Sequence, residues 1–428
     1  MATQVNPPRG MRDFLPAEKA RRERVLSVIR STYRAHGFDE IETPVVEDSD
    51  RLHAGLGGDN EKLAFGILKR GLTIDDFQRA TEPLDLADLG LRFDLTVPLA
   101  RFYASHHADL PRVFRSIQIA PVWRAERPQK GRYRQFVQCD IDIIGEKGPL
   151  AEVELIQATT AAIEALGIRG ATIRINDRRI LTALLTSLGF PAGEHAAVLI
   201  TIDKLDKIGP AGVVQELRDR FLPDGPVDAL DAFLNRPITT EFVSFGERAI
   251  RKLLPADIDP EAIADLVAIA DGLDAATRQL LRFDPFLVRG MGYYTGAIFE
   301  VAHPELGYSL GGGGRYDGMI GRFLGQSVPA TGFSLGFERL VDLVELDDAD
   351  SADAVALLYD DDAPVAALAA LKAELVARGP AGTRVRLERR LKRVAPVLDA
   401  LAAAGFTHWA SVTGATASVD DLELKPLA

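Results

Sequence analysis

The stretch "WRAERPQKGRYRQFVQCDIDIIG", residues 123–145, changes character halfway along. Its first half sets four arginines and a lysine (Arg124, Arg127, Lys130, Arg132 and Arg134) between Trp123 and Arg134. Its second half alternates apolar and polar residues, the period of a strand with one buried face. The preceding "VFRSIQIAPVWRAERP" (113–128) reads as a strand running into a polar turn. Together the two predict an antiparallel hairpin around a long basic connection. On the returning strand the period of two places Gln138, Asp140 and Asp142 on one face. The basic connection has two readings, a solvated turn or a grip on phosphate, whose oxygens arginine forks hold two at a time.

Outward from the hairpin, "PAEKARRERVLSVIRSTYRAHGF" (16–38) predicts an amphipathic helix entered at Pro16, with Val25, Ile29 and Tyr33 on one face. "EIETPVV" (40–46) predicts a short strand broken by Pro44. In "LRFDLTVPLARFYA" (91–104) a strand passes through Pro98 into a helix, which leaves Asp94 and Thr96 at the strand end. "AEVELIQATTAAIEALGI" (151–168) is a further helix and "ATIRIND" (171–177) a further strand. The following region is helical, with breaks at "GPAG", "PDGP" and "NRPI", and reads as an insertion. Strand character returns at "YYTGAIFEVAHP" (293–304), "GYSLGGGGRYDG" (307–318) and "ATGFSLGFERLVDLVE" (330–345), the last turning into a helix. After the acidic linker "ELDDADSADA" (345–354), strands and helices alternate to the C-terminus. The expectation is an α+β fold: an antiparallel sheet flanked by helices, with a helical insertion and a small C-terminal α/β domain. The expected boundaries are 1–180 and 281–345 for the two parts of the core, 181–280 for the insertion and 354–428 for the C-terminal domain.

Composition narrows the class. The 428 residues are 47% hydrophobic and 26% charged, ordinary for globular proteins and enough for two or three domains. A formal charge of -12 argues against a general positive field for nucleic acid, but not against a local basic groove. Cys139 is the sole cysteine, which excludes an intramolecular disulfide and a thiolate metal cluster. The opening "MATQVNPPRGMRDFLP" has no apolar core of a secretory kind, and no apolar run reaches the roughly 18 residues of a membrane span, so a cytoplasmic protein is expected.

Other segments carry candidate chemistry. Asp94, Thr96, Gln138 and Asp142 are polar among apolar neighbours; they cap turns and pair with arginines, or they line a pocket that receives an ammonium group. "LVRGMGYYTGAIFE" (287–300) joins Arg289 to Tyr293 and Tyr294 through glycines that let a ligand approach the backbone. Core tyrosines are the plain alternative. "SLGGGGRYDG" (309–318) is neither a G-x-G-x-x-G nor a P-loop spacing. In "GFSLGFERL" (332–340), Arg339 opens a helix directly after a glycine-punctuated strand.

This set resembles the histidyl-tRNA synthetase family of class II aminoacyl-tRNA synthetases, over nearly the whole chain. "PPRGMRDFLP" and "GFDEIETPVVE" are similar to the family's opening and first class motif, which the family places at a dimer interface; residues 123–145 resemble the second motif and "GFSLGFERL" the third. "LVRGMGYYTG" and "SLGGGGRYDG" resemble two signatures peculiar to the histidine enzymes, and "INDRRIL" and "TIDKLDKIG" resemble segments of the eukaryote-like branch. The resemblance implies a class II synthetase-type sheet and a homodimer that joins L-histidine to tRNA(His) using ATP and Mg2+, with no protein metal site. It implies that Arg124 bridges the α-phosphate and the substrate carboxylate, and that Glu126 helps to hold ATP. Arg132 and Arg339 would address the outer phosphates, and Arg289 the α-phosphate. Asp94, Leu95, Thr96, Gln138 and Asp142 would surround the histidine ammonium, with Tyr293 and Tyr294 lining the imidazole pocket.

The chain departs from that pattern at Gly292, where the family usually carries an acidic residue, and in residues 65–96, which lack the usual hairpin wording. Two other functions fit the resemblance: a non-catalytic, histidine-sensing regulatory subunit of ATP phosphoribosyltransferase, and an amino-acid-activating ligase with another acceptor. Intact Arg124, Glu126, Arg132, Arg289 and Arg339 count against the sensor. The C-terminal domain corresponds in position to the family's anticodon-binding domain. Its Arg386, Arg389, Arg390, Lys392 and Arg393 are either RNA-backbone contacts or a solvated helix face.

Overall fold

A computed structural model describes residues 5–53, 63–129, 131–236, 245–255, 258–290, 292–344, 354–380, 383–414 and 416–427. Lys130 and nearly all of the acidic linker lie outside the described residues. The chain divides into two compact units, Met1–Arg12 with Val25–Val344, and Asp13–Arg24 with Glu345–Ala428.

Among the described residues the strands, in chain order, are β1 Asp39–Glu40, β2 Val46–Asp48, β3 Phe65–Leu68, β4 Ala87–Leu91, β5 Phe114–Trp123, β6 Gln135–Ile144, β7 Thr172–Asp177, β8 Leu281–Phe283, β9 Ala297–Ala302, β10 Gly311–Arg315, β11 Ala330–Gly336, β12 Ala354–Tyr359, β13 Arg384–Arg389, β14 His408–Val412 and β15 Lys425–Pro426. The larger unit is built on an eight-stranded sheet in the order β1-β5-β6-β11-β10-β9-β7-β8. The expected hairpin is there, in unbroken register from Phe114 opposite Ile144 to Trp123 opposite Gln135. Its alternation has the expected meaning. Cys139, Ile141 and Ile143 are fully buried, and the helix Leu150–Ala165 packs against β6 and β11, while Gln138, Asp140 and Asp142 face the other way into a cavity.

The sheet is antiparallel from β5 to β7, but its edges are not: β1 pairs with β5 in parallel and β8 with β7 in parallel. Parallel edges follow from the connections. Between β1 and β5, and again between β7 and β8, the chain passes through helices outside this sheet, and such crossovers bring it back in the same direction. Pro44 separates β1 from β2, as its missing N–H requires. Residues 65–91 supply two strands the sequence did not suggest, which join β2 in a three-stranded sheet β2-β4-β3. Its central strand carries Gly90, whose Cβ would lie 2.8 Å from Leu52 and 3.1 Å from the Phe65 carbonyl, so close packing requires a residue that weakens the strand pattern. Beyond β4 the chain turns through Asp94, whose carboxylate accepts from the Val97 N–H at 3.2 Å, into the helix Thr96–His106. Pro98 sits in its first turn, where no N–H is needed.

Between β7 and β8 lie the helices Arg178–Ser187, His195–Ile202, Leu205–Asp219, Asp224–Leu234, Glu247–Leu253, Pro260–Gly272 and Ala275–Leu280. Leu199, Ile202, Val213, Leu217, Val227 and Leu230 form a core there that continues to Leu287, Val288 and Ile298 beside the sheet.

The smaller unit has its own sheet, β13-β12-β14-β15, parallel except for β15. Its central strand "AVALLY" is apolar on both faces, as a covered parallel strand must be. Val355 and Leu357 pack on Leu368, Leu371 and Leu375 of the helix Val365–Arg378. Ala354, Ala356 and Leu358 pack with Leu401 of the helix Ala395–Ala403.

Candidate active site

The polar face of β6 opens into a cavity of about 580 Å³. Asp94, Thr96, Arg124, Glu126, Arg132, Gln138, Asp142, Arg289, Tyr293, Tyr294 and Arg339 all line it, although they come from segments scattered between residues 94 and 339. Leu95 does not line it: its side chain is fully buried in the core, and its carbonyl accepts from Gln118 at 3.0 Å. In a strand-to-helix turn between two cavity residues, the intervening side chain points the other way.

One end of the cavity is acidic. Gln138 donates from its amide to Ser334 Oγ at 2.9 Å, and Tyr316 donates from its hydroxyl to Asp142 Oδ1 at 2.6 Å. Burial, with the Asp94 charge adding and Tyr316 opposing, pushes the Asp142 carboxyl up to about 7. Burial and the neighbouring Asp142 raise the Asp140 carboxyl well above its ordinary value. For both groups the cost of losing water outweighs what their neighbours return, even with Arg124 acting on Asp140, and an added cationic group would offset it. Tyr293 sits edge-on to Tyr294 at 4.8 Å and to Tyr316 at 6.0 Å between centroids, and Thr96 hydrogen-bonds to it. Gly332 faces Asp142 across the ladder, and a Cβ there would fall 1.9 Å from Asp142 Oδ1.

The other end is cationic. Arg124 donates to the Phe93 carbonyl at 2.9 Å and lies 5.0 Å from the Phe136 ring centroid. Arg132 pairs with Glu126 at 3.2 Å, and Arg339 donates to the Ser309 carbonyl at 2.6 Å. Burial, followed by the charge of Arg132 and then that of Arg289, presses the Arg339 guanidinium below its ordinary pKa. Not every cation of the loop joins this group. Arg127 is exposed, and Arg134 donates back to the Glu126 carbonyl at 3.0 Å, so the solvated-turn reading holds for Arg127.

Arg289 lies across the glycine run. Its Nη1 donates to Glu300 at 2.8 Å, and its buried Nε has no hydrogen-bond partner among the described residues. A Cβ on Gly312 would come within 2.7 Å of its Cζ, so "GGGG" clears a floor for a guanidinium. Glu300 is shared with Arg174, which donates to its other oxygen at 3.1 Å and also pairs with Asp284 and Asp206. Burial would lower the Arg289 pKa, but the Glu300 and Asp203 carboxylates with Tyr294 outweigh it and raise it. A cavity lined by both buried carboxylates and four guanidiniums matches a ligand pair that carries an ammonium group and a polyphosphate.

Residues 10–340 match the protein-family model for histidyl-tRNA synthetase. A histidine–tRNA ligase from Leifsonia xyli subsp. xyli is 60% identical, covering 100% of this chain and 99% of its own length. The chain belongs to the histidyl-tRNA synthetase family. A probable histidine–tRNA ligase from Tropheryma whipplei is 45% identical over 88% of this chain and 89% of its own length. Among solved structures, histidyl-tRNA synthetase from Nostoc sp. PCC 7120 has a TM-score of 0.75 at 26% identity, over 99% of this chain and 95% of that one. The fold is also that of an ATP phosphoribosyltransferase regulatory subunit/histidyl-tRNA synthetase from Bacillus halodurans C, with a TM-score of 0.74 at 22% identity over 97% of this chain and 100% of that one.

Within this family's site, sequence reasoning passed over Glu300, Tyr316 and Asp203, all of which line the cavity. Glu300 and Tyr316 carried a usable signal, since each lies inside a glycine-rich segment already singled out. Asp203 carried a weaker one, within "TIDKLDKIG" on the insertion; its oxygen would lie 3.3 Å from a Cβ on Gly290. Gly292 has open space around it, with nothing within 4 Å of a Cβ.

Proposed function

We infer that this cavity is where the chain, an ATP-dependent histidine–tRNA ligase, forms histidyl-adenylate and passes the histidyl group to tRNA(His). The observation that carries the reading is the group of like charges Arg124, Arg132, Arg289 and Arg339 lining one cavity, with Arg339 destabilised by its own neighbours. A polyphosphate relieves that repulsion. A carboxylate oxygen of histidine attacks the α-phosphorus of ATP, the bond from that phosphorus to the bridging oxygen breaks, and pyrophosphate leaves. The terminal ribose hydroxyl of the tRNA then attacks the acyl carbon and AMP leaves, with a phosphate oxygen of the adenylate accepting the hydroxyl proton.

Both attacking and attacked groups are anionic in the first step, so fixed guanidiniums lower the barrier without reorganising. Arg124 and Arg289 are assigned to the α-phosphate, Arg132 and Arg339 to the outer phosphates, and Glu126 to ATP. Asp94, Thr96, Gln138 and Asp142 are assigned to the histidine ammonium and its surroundings, and Tyr293 and Tyr294 to the imidazole. Mg2+ would neutralise charge on the outer phosphates. That ion would be held chiefly through phosphate oxygens and water.

We further assign residues 181–280 to an insertion that walls the cavity and 354–428 to an anticodon-binding domain. The working form would be a cytoplasmic homodimer; no helix among the described residues is long and apolar enough to cross a membrane. A histidine-sensing regulatory subunit would need the acidic end of the cavity but not the cationic one. The test is twofold: histidine-dependent exchange of pyrophosphate into ATP, then histidine charging of bulk tRNA. Both are expected. Histidine binding without exchange would favour the sensor, and exchange without charging would point to another acceptor.

A further inference from the structure

Gly10 and Arg12 belong to none of the segments assigned to substrate above, yet they hold two of those segments together. Gly10 has φ +83°, a conformation that side-chain-bearing residues rarely adopt, and its carbonyl accepts from the Arg134 N–H at 2.8 Å. A Cβ there would lie 2.7 Å from Pro128 Cγ and 2.9 Å from Arg134 Cγ, so the backbone is pressed onto both limbs of the basic loop. Two residues on, the Arg12 guanidinium lies 3.7 Å from the centroid of the Tyr133 ring and pairs with Glu338. Tyr133 sits directly after Arg132, and Glu338 directly before Arg339. Glu338 also accepts from the Val137 N–H at 3.3 Å, on the strand that leaves the loop.

These contacts tie the loop that carries Arg132 to the short helix Phe337–Leu340 that carries Arg339. Arg132 and Arg339 repel one another, and without such contacts that repulsion would favour turning the Arg132 guanidinium out into water when no phosphate is bound. We propose that residues 10–12 form a strap that keeps the nucleotide end of the basic loop in place, and that Arg12 is a positioning residue for ATP rather than a residue that touches it. The proposal rests on the assignment of this cavity to ATP. It makes a distinction that assignment does not, because the strap's contacts are to Pro128, Tyr133, Arg134 and Glu338, beside the residues proposed for phosphate.

The experiment compares full-length wild type with Arg12→Ala, Arg12→Lys and Gly10→Ala, each checked by thermal melting. KM for ATP and KM for histidine are measured separately in pyrophosphate exchange, and direct binding of Mg·ATP is measured by calorimetry. Arg12→Ala should weaken ATP about tenfold, the scale of a lost stacked and ion-paired guanidinium, while KM for histidine stays within about twofold. Arg12→Lys should fall between, because it keeps the charge but stacks less well. Gly10→Ala should shift ATP in the same direction, and it decides the matter if Arg12→Ala does not fold. ATP binding unchanged in the folded variants, or ATP and histidine weakened equally, overturns the strap. Absence of exchange in wild type would instead count against the activity, and the calorimetric comparison would still decide the strap.

Discussion

Replacing Gly312 with alanine puts one methyl group under Arg289, the arginine proposed for the α-phosphate. The new Cβ would lie 2.7 Å from Arg289 Cζ, 2.8 Å from its Nη1 and 2.7 Å from the Phe299 carbonyl oxygen. Non-bonded carbons rest about 3.5 to 4 Å apart, so the shortfall is about 1 Å. The strand β9, to which Phe299 belongs, is held in register with β10 on one side and β7 on the other, and cannot easily yield. Arg289 must move, against its 2.8 Å bond to Glu300. A displacement of about 1 Å at a positioned group costs about 100-fold in rate, close to 3 kcal/mol of barrier. The assay is kcat/KM for histidine-dependent pyrophosphate exchange in wild type, Gly312→Ala, Arg289→Ala and the double variant. The part of the cost that acts through Arg289 should vanish once Arg289 is gone, leaving only that of the contact with the Phe299 carbonyl. Gly318→Ala, where a Cβ meets nothing within 4 Å, serves as the control and should match wild type. Near-wild-type activity for Gly312→Ala, or a full 100-fold loss added on top of Arg289→Ala, would refute the reasoning.

Asp142→Asn should stabilise the ligand-free protein in a pH-dependent way. The wild-type carboxyl is raised to about 7 when folded, against about 4 in an unfolded chain, so the folded state holds the extra proton and wild type loses stability as pH rises between those values. The melting-temperature gap between variant and wild type should widen from pH 5 to pH 8, and a constant gap would contradict the cause assigned to the shift. In the smaller unit, Arg386 lies 4.6 Å and Arg384 4.8 Å from the Phe406 ring centroid, and both are exposed on β13. Arg386→Ala should weaken tRNA binding and lower the salt slope by about one; an unchanged slope would leave Arg386 a solvated residue.

The hairpin was legible because one strand period, repeated on either side of a basic connection, admits few other arrangements. The C-terminal alternation was legible for a related reason: "AVALLY" is too continuously apolar for anything but a strand covered on both faces. Residues 65–91 were opaque, because close packing there depends on glycines that erase the strand signal. Arg386 and Arg389 were weighed as part of a helix face, but they lie on β13, and Arg390 follows it with a hydrogen bond to Ser411. The contact between Arg386 and Phe406 joins β13 to the turn before β14 and cannot be read from either segment alone. At the site, side chains that line the cavity stood out as polar residues in apolar company. Those that act through another residue, Glu300 under Arg289 and Arg12 beside Glu338, looked like ordinary surface charges. Leu95 stands between Asp94 and Thr96 in the sequence, but its side chain turns into the core, a direction that adjacency alone does not give.

A crystal structure of the chain with histidine and a non-hydrolysable ATP analogue is the most direct measurement of the claim that distant guanidiniums converge on one nucleotide. The account predicts that Arg124 and Arg289 both donate to α-phosphate oxygens, Arg132 and Arg339 to the outer phosphates, and that the histidine ammonium lies against Asp94, Gln138 and Asp142. Phosphates bound elsewhere, or an amino acid seated with its carboxylate toward Asp142, would contradict it.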